Sequence, residues 1–334
     1  MKAPIKSSRH SATSTDLEPE RGRHADRPQQ IPKAGWGDIL SRVRKAIGSD
    51  NVSLVAAGLA MYALLAVFPT LAAAVSIYGV FASPADVFEH LQGFAGILPP
   101  GAWDIFSKQL QEIAGRPQGA LTATAVGALL VALWSGRSGM ASLMTATNIA
   151  YSEREKRGFI RQALVSLAFT AGAIITFLTM LLLGIAVPMA LKAMGISGEL
   201  EILVNIGRWA LLWIVGVAGL SVIYRYGPAR KRARWRWVTW GSVMAASVWL
   251  IGSLLFSLYV RTFGTYGTTY GALGGVTVLL MWFYLSSFIL VLGAEVNAEM
   301  ERQTTQDTTD GPEKPLGQRG AHAADTVGPS SGGN

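Results

Sequence analysis

Six apolar stretches of 16 residues or more divide this chain, roughly 54–82, 120–136, 162–191, 207–226, 238–260 and 272–295, and they carry charge only at their edges, at Arg208, Arg225 and Glu295. A run of about 18 or more such residues is long enough to cross the hydrocarbon core of a bilayer as a helix. A helix can do so because it satisfies its own backbone polar groups, which lipid cannot. Only 15% of the 334 residues are charged and half are hydrophobic, whereas a soluble domain carries about a quarter charged residues. The expected fold is therefore an all-α integral membrane protein, a six-transmembrane-helix bundle with an outer amphipathic helical hairpin and disordered tails.

The placement of charge assigns the sides. Ten of the 29 Lys and Arg residues lie in residues 1–50, five in 137–161, six in 225–236 and three after 296, while Lys108, Arg116, Lys192 and Arg261 are the four in the intervening loops. This alternation is the positive-inside pattern for six crossings with the N and C termini both cytoplasmic. The net charge of +8 is thus topological, and no nucleic-acid partner is expected. Membrane lipids are the expected partners, with anionic headgroups at the cytoplasmic face. No apolar h-region occurs in the first 50 residues, so the first helix is expected to serve as its own insertion signal.

Four parts follow. Residues 1–34 and 299–334 are polar and lack apolar periodicity, which predicts disordered cytoplasmic tails. Residues 35–50 place Trp36, Ile39, Leu40, Val43 and Ile47 at helical spacing with Arg42, Arg44 and Lys45 between them. That pattern predicts an interfacial amphipathic helix whose basic side chains reach headgroups. Residues 51–298 form the six-helix domain. Within it, residues 83–119 hold two amphipathic pieces separated by Leu98-Pro-Pro-Gly101, the outer hairpin, which either lies on the leaflet or roofs a cavity. Asp50 or Asn51 is positioned to cap the first long helix. Pro69, near its middle, acts either as a hinge or as a passive bend.

Catalytic motifs are absent. His10, His24, His90 and His322 lie outside the apolar blocks with no metal-ligand spacing, and neither GxSxG nor a P-loop occurs. The chain has no cysteine. Glu295, at the end of the last block, is the only carboxylate within them; it either pairs with a basic group such as Arg137 or Arg225 or stays exposed at the interface. No enzyme activity, cofactor or metal is expected, and a carboxylate relay through the membrane is not expected either.

The chemistry-bearing residues are glycines, small hydroxyls and amphipathic aromatics. After the second block, Met140, Leu143, Met144, Thr147 and Tyr151 share one helical face, and Ser138, Ser142, Thr145 and Asn148 suit close helix contact. The segment Thr265–Gly275 reads TYGTTYGALGG, with Tyr266-Gly267 and Tyr270-Gly271 four residues apart. It reads either as an aromatic belt with a flexible turn or as the mouth of a cavity that accepts an amphipathic molecule.

Four stretches together, DNVSLVAAGLAMYALLAVFP, LWSGRSGMASLMTATNIAYSEREKRGF, YGPARKRARWRWVTWGSVMAASVWLIGSLLFSLYVRTFGTYGTTYGALGG and LLMWFYLSSFILVLGAEVNAE, resemble the YihY/BrkB family of bacterial inner-membrane proteins. The resemblance covers most of residues 50–300 and implies six helices. It marks Tyr62, Pro69, Trp134, Asn148, Tyr151, Pro228, Trp249, Tyr259, Tyr270, Gly271, Trp282, Tyr284, Gly293, Glu295 and Asn297 as motif positions. Trp240 stands where the family often has proline, and Gly267 where it often has asparagine. Members have carried a ribonuclease label, which the missing catalytic groups oppose, and a virulence label, which names a phenotype. The reading that results is an inner-membrane transporter or lipid-handling protein of the bacterial envelope with an amphipathic substrate. The alternative is a non-transporting envelope scaffold or interaction protein. Tyr62, Pro69, Trp134, Asn148, Tyr151, Tyr259, Tyr266, Tyr270, Gly271, Trp282, Tyr284, Glu295 and Asn297 are the candidate cavity or structural residues.

Overall fold

The structure, a computed structural model, describes residues 18–81, 118–195, 198–263 and 272–331. Seven long helices account for most of them: α1 (Lys33–Ser49), α2 (Val52–Phe81), α3 (Gln118–Ala150), α4 (Phe159–Ala193), α5 (Glu199–Tyr226), α6 (Trp235–Phe263) and α7 (Ala272–Glu301). A short α8 (His322–Asp325) lies in the C-terminal segment. Among the described residues the only strand-like contact is one bridge between Ala233 and Thr309. Helices α2 to α7 pack in chain order, each on the next, and α7 closes the ring against α2; α1 packs on α7 and α2.

Four helices, α4 to α7, are long and apolar enough among the described residues to cross a membrane. The number rises to five if α1 and the start of α2, bent 65° from each other, count as one broken span. The expected six crossings thus stand at four or five on this measure. The bend has a local cause. Asn51 adopts φ +51°, the left-handed conformation that ends helices and that asparagine tolerates better than most residues. Its carbonyl then accepts from the Val55 amide at 3.0 Å and starts α2. Helix α2 continues on both sides of Pro69.

Among the described residues the buried side chains gather mostly at one end of the ring, with Leu191 of α4 away from it. Buried side chains occupy Val52 to Ala60 in α2, Leu143 to Ala150 in α3, Ser221 to Arg225 in α5, Trp237 to Ala246 in α6 and Ser287 onward in α7. Between Glu199 and Leu220 of α5, and between Ser247 and Val260 of α6, no side chain is buried. Apolar residues there, among them Ile206, Ile214, Ile251 and Leu254, are more than half exposed, as lipid-facing residues are.

Lipid tails are as apolar as leucine, so membrane helices associate through close backbone approach and interhelical hydrogen bonds instead of the hydrophobic effect. Both devices join α6 to α7. A Cβ on Gly241 would come within 2.5 Å of the Gly293 carbonyl oxygen. Asn297 clamps the same crossing: its Oδ1 accepts from the Gly241 amide at 2.9 Å and its Nδ2 donates to the Val238 carbonyl at 3.1 Å. Further along, a reciprocal pairing takes over. Trp249 donates to Ser286 at 2.9 Å and Trp282 to Ser253 at 3.4 Å, with the two indoles 5.9 Å apart. Each tryptophan thus stands four residues before the serine that receives the other, so the same W-x-x-x-S pattern on both helices makes the match.

The terminal segments are not disordered where they are described. The backbone of Thr305, Thr308 and Asp310 exchanges hydrogen bonds with that of Arg23, Arg234 and Arg232. Arg319, 4% exposed, donates to the carbonyls of Thr305, Gln306, Lys314 and Ala324. A polar composition predicts disorder when apolar burial is the only source of order; here hydrogen bonds to the ends of the helices supply it. The interfacial helix is revised likewise. Ile39 and Val43 of α1 pack on Trp237, Val296 and Met300, and Arg42, 7% exposed, is bonded to Glu299 and Gln303, leaving Arg44 and Lys45 exposed. The expected outer hairpin, 83–119, lies outside the described residues apart from its last two positions, which begin α3.

Gly241→Ala places a methyl group against Gly293 and Asn297, and overpacking of this kind costs about 1–3 kcal/mol. Thermal unfolding in detergent should show Gly241→Ala clearly less stable than the parent, with Gly37→Ala, whose added carbon meets nothing within 4 Å, close to the parent.

Candidate functional site

The described chemistry concentrates at the charged end, where residues 18–32, the loop after α3, the loop before α6 and the C-terminal segment meet. Its centre is an ion pair. Arg230 and Glu301, both with fully buried side chains, form two parallel hydrogen bonds of 2.9 and 2.6 Å, the fork-on-carboxylate geometry that arginine is shaped for. Thr308 donates its hydroxyl to the same carboxylate at 2.7 Å. Tyr151 covers the other side, its ring centroid 4.0 Å from the guanidinium carbon. Burial alone would weaken the Arg230 charge, but Glu301 outweighs it and raises the pKa. Burial likewise pushes the Tyr151 hydroxyl up, against the pull of Arg230, so the phenol stays neutral.

Two further arginines tie helices to loops. Arg225, at the end of α5, donates to the Ala233 carbonyl at 2.6 Å and to Asp310 at 3.0 Å, with Trp235 stacked at 4.6 Å. Arg157 binds Glu155 through two side-chain bonds of 2.7 and 2.8 Å and reaches the carbonyl of Gly227 at 2.7 Å. Bonding to Arg157 lowers the Glu155 pKa, more than its partial burial raises it. Asn148 joins the same two loops: its Nδ2 donates to Glu155 at 3.1 Å and its Oδ1 accepts from the Ala229 amide at 2.7 Å.

The sequence-predicted residues separate into groups. Asn148, Tyr151, Glu295 and Asn297 come together at this end, all 4% exposed or less. Glu295 pairs with neither Arg137 nor Arg225. It lies beside Asp50, at the α1–α2 break, and near Glu299 and Arg302, and its Oε1 has no hydrogen-bond partner among the described residues. Arg225 is engaged as above, and Arg137 stacks on aromatic rings. Trp282 lies in the α6–α7 seam. Tyr62, Trp134, Tyr259 and Tyr284 are on exposed helix faces, with Tyr259 against Phe256 and Tyr284 against Phe288. Tyr266, Tyr270 and Gly271 lie outside the described residues, and of Pro69 only the backbone is described.

Sequence reasoning missed Arg230, Glu301, Tyr224 and Gly241. Arg230 is one of six basic residues in a loop, and Glu301 opens a polar tail, so nothing local separates either from solvated charge. Tyr224 donates its hydroxyl to the Leu290 carbonyl at 2.7 Å and sits where a Cβ on Gly293 would go. The pairing of an inward tyrosine with a glycine on another helix was the available signal. Among the described residues no cluster of His, Asp and Glu is arranged to hold a metal ion.

The fold defines an all-helical membrane protein consolidated at one charged end. The chain belongs to the virulence factor BrkB family, whose pattern matches residues 43–317. Among its relatives, the ribonuclease-like protein YfkH of Bacillus subtilis is 31% identical over 252 residues, 74% of this chain and 89% of that protein. The UPF0761 membrane protein PBPRA3489 of Photobacterium profundum is 27% identical over 276 residues, 80% of this chain and 82% of the relative. With the UPF0761 membrane protein Mpe_A1422 of Methylibium petroleiphilum the identity is 25% over 271 residues, 79% of this chain but 62% of that protein, so the chain spans less than two thirds of that relative's length. No solved structure matches the chain.

Removing one member of a buried ion pair leaves an uncompensated charge and costs about 3–5 kcal/mol, whereas replacing both with apolar groups is often near neutral. Arg230→Met should therefore lose folded protein in detergent, and Arg230→Met combined with Glu301→Leu should recover most of it. Equal stability of parent and single variant, by thermal unfolding, would show that the pair is not buried in the folded protein.

Proposed function

We propose that this chain crosses the bacterial inner membrane six times with both termini cytoplasmic, and that it moves or holds an amphipathic, lipid-like molecule without chemically altering it. The topology is supported by two observations of different kinds. The basic residues alternate sides along the sequence, and both terminal segments pack at the same end of the ring, as an even number of crossings would have it. Reporter fusions at Gly115 and Gly198 should read periplasmic and one at Asn334 cytoplasmic; a cytoplasmic signal at Gly198 would contradict six crossings.

The observation that carries the functional reading is the unequal packing along the ring. The charged end is a dense, hydrogen-bonded block, while α5 and α6 beyond Leu220 and Ala246 expose apolar faces to their surroundings. The exposed apolar faces of α5 and α6 offer lateral surfaces for acyl chains, with the indole and hydroxyl groups of the α6–α7 seam as a polar lining. A static scaffold has no need of this asymmetry, which is why that alternative is ranked second. Hydrolysis is left out because the chain lacks nucleophile, histidine and metal-site motifs; the ribonuclease-like wording describes the Bacillus relative and brings no residues with it.

The test is reconstitution of the full chain in liposomes with fluorescent phospholipid reporters in one leaflet. Faster exchange between leaflets than in protein-free liposomes, lost on Trp282→Ala in protein that still folds, is the expected result. Exchange and solute uptake at the protein-free rate would leave the scaffold reading in its place.

A further inference from the structure

Arg137 takes no part in the hydrogen bonds and ion pairs of the charged end. It lies in α3, 14 positions before Tyr151, which is about 20 Å along a helix. Among the described residues it makes no hydrogen bond and no ion pair, and its Nε is buried without a partner. What it touches is aromatic: its guanidinium carbon is 5.4 Å from the Trp134 ring centroid and 5.8 Å from that of Phe159, the first residue of α4. Contact with the start of α4 means that the long side chain runs from mid-helix toward the charged end, as arginines do when their backbone lies in hydrocarbon and their charge seeks the interface.

The surroundings are lipid-facing. Trp134 is 69% exposed and Phe159 77%, with Leu130, Ile160 and Leu164 of the same two helices also mostly exposed. Aromatic groups bordering an apolar surface mark the headgroup level of a membrane protein. At that level a guanidinium without a protein partner is open to water and to any anion held there. The anion abundant there is the phosphodiester of a phospholipid, whose two free oxygens match the planar fork of arginine. A soluble anion would have no use for the apolar wall, whereas the acyl chains of a lipid would cover it.

We propose that Arg137, flanked by Trp134 and Phe159, binds the phosphate of one phospholipid on the α3–α4 face. The site is independent of lipid movement, since a protein that transfers nothing can hold a lipid here, so this proposal and the functional reading above fail separately.

The test uses the full chain in detergent, titrated with dioctanoyl phosphatidylglycerol, with dioctanoylglycerol, which lacks the phosphate, and with inorganic phosphate, and read by native mass spectrometry. Arg137→Gln should weaken phosphatidylglycerol binding about tenfold, the size of one lost charge-assisted contact, and leave dioctanoylglycerol binding unchanged. Inorganic phosphate at the same concentration should not displace the lipid. Arg137→Lys keeps the charge, loses the fork and should fall between the two; it carries the test if Arg137→Gln does not fold. Parental affinity for phosphatidylglycerol in a folded Arg137 variant would overturn the proposal, and so would displacement by inorganic phosphate, which would make the site one for a soluble anion.

Discussion

The buried contact between Arg230 and Glu301 is the point on which the charged end is centred. It joins the loop between α5 and α6 to the last turn of α7, two of the places where the chain leaves the apolar ring. Once Glu301 is fixed, Thr308 is held by the same carboxylate, and the segment that follows bonds to Arg232 and Arg234 on the same loop. Tyr151 brings the end of α3 against the guanidinium. A buried pair contributes little net stability over an apolar replacement, because desolvating two charges consumes most of their attraction. What it supplies here is uniqueness: a loop with six basic residues has many ways to lie on a helix end, and only one puts Arg230 on Glu301 with Tyr151 above it.

The membrane part obeys a different constraint. Its helices are held at discrete points that begin at the charged end and run outward: glycine against glycine at Gly241 and Gly293, the two-bond clamp of Asn297, Tyr224 on the Leu290 carbonyl, and then the crossed Trp–Ser pairs. Trp213 of α5 adds one more, to Ser247 of α6 at 3.2 Å. Interhelical hydrogen bonds in membranes contribute on the order of 1 kcal/mol each. Among the described residues α5 is held to α6 by the mid-helix Trp213–Ser247 bond and meets α4 where Gly216 and Gly219 face Met180 and Thr176.

Helix class, membrane residence and the family were legible because they depend on long averages: apolar runs, their lengths, and several motifs in order. The family positions Asn148, Gly293 and Asn297 were legible as important, and their contacts explain why, since each joins two elements across a close approach. The order of the terminal segments was not legible. Arg319 is satisfied by four carbonyl oxygens, and carbonyls have no residue code, so a tail held in this way has the same composition as a free one. The partner of Glu295 was misread for a related reason: hydropathy places a carboxylate at the inner end of a helix but says nothing about which arginines are already engaged.

The same limit separates Arg230 from Arg137. Both count as positive charges on one side of the membrane, and both hold an aromatic ring against the guanidinium. One has a carboxylate with both side chains sealed from solvent; the other has exposed apolar neighbours and no anion among the described residues. Charge neutrality in a low-dielectric setting must be met in either case. Arg230 meets it from within the chain and so belongs to the fold. Arg137 has no such partner among the described residues, and the proposed lipid phosphate would supply one to a residue that reads as topology in the sequence.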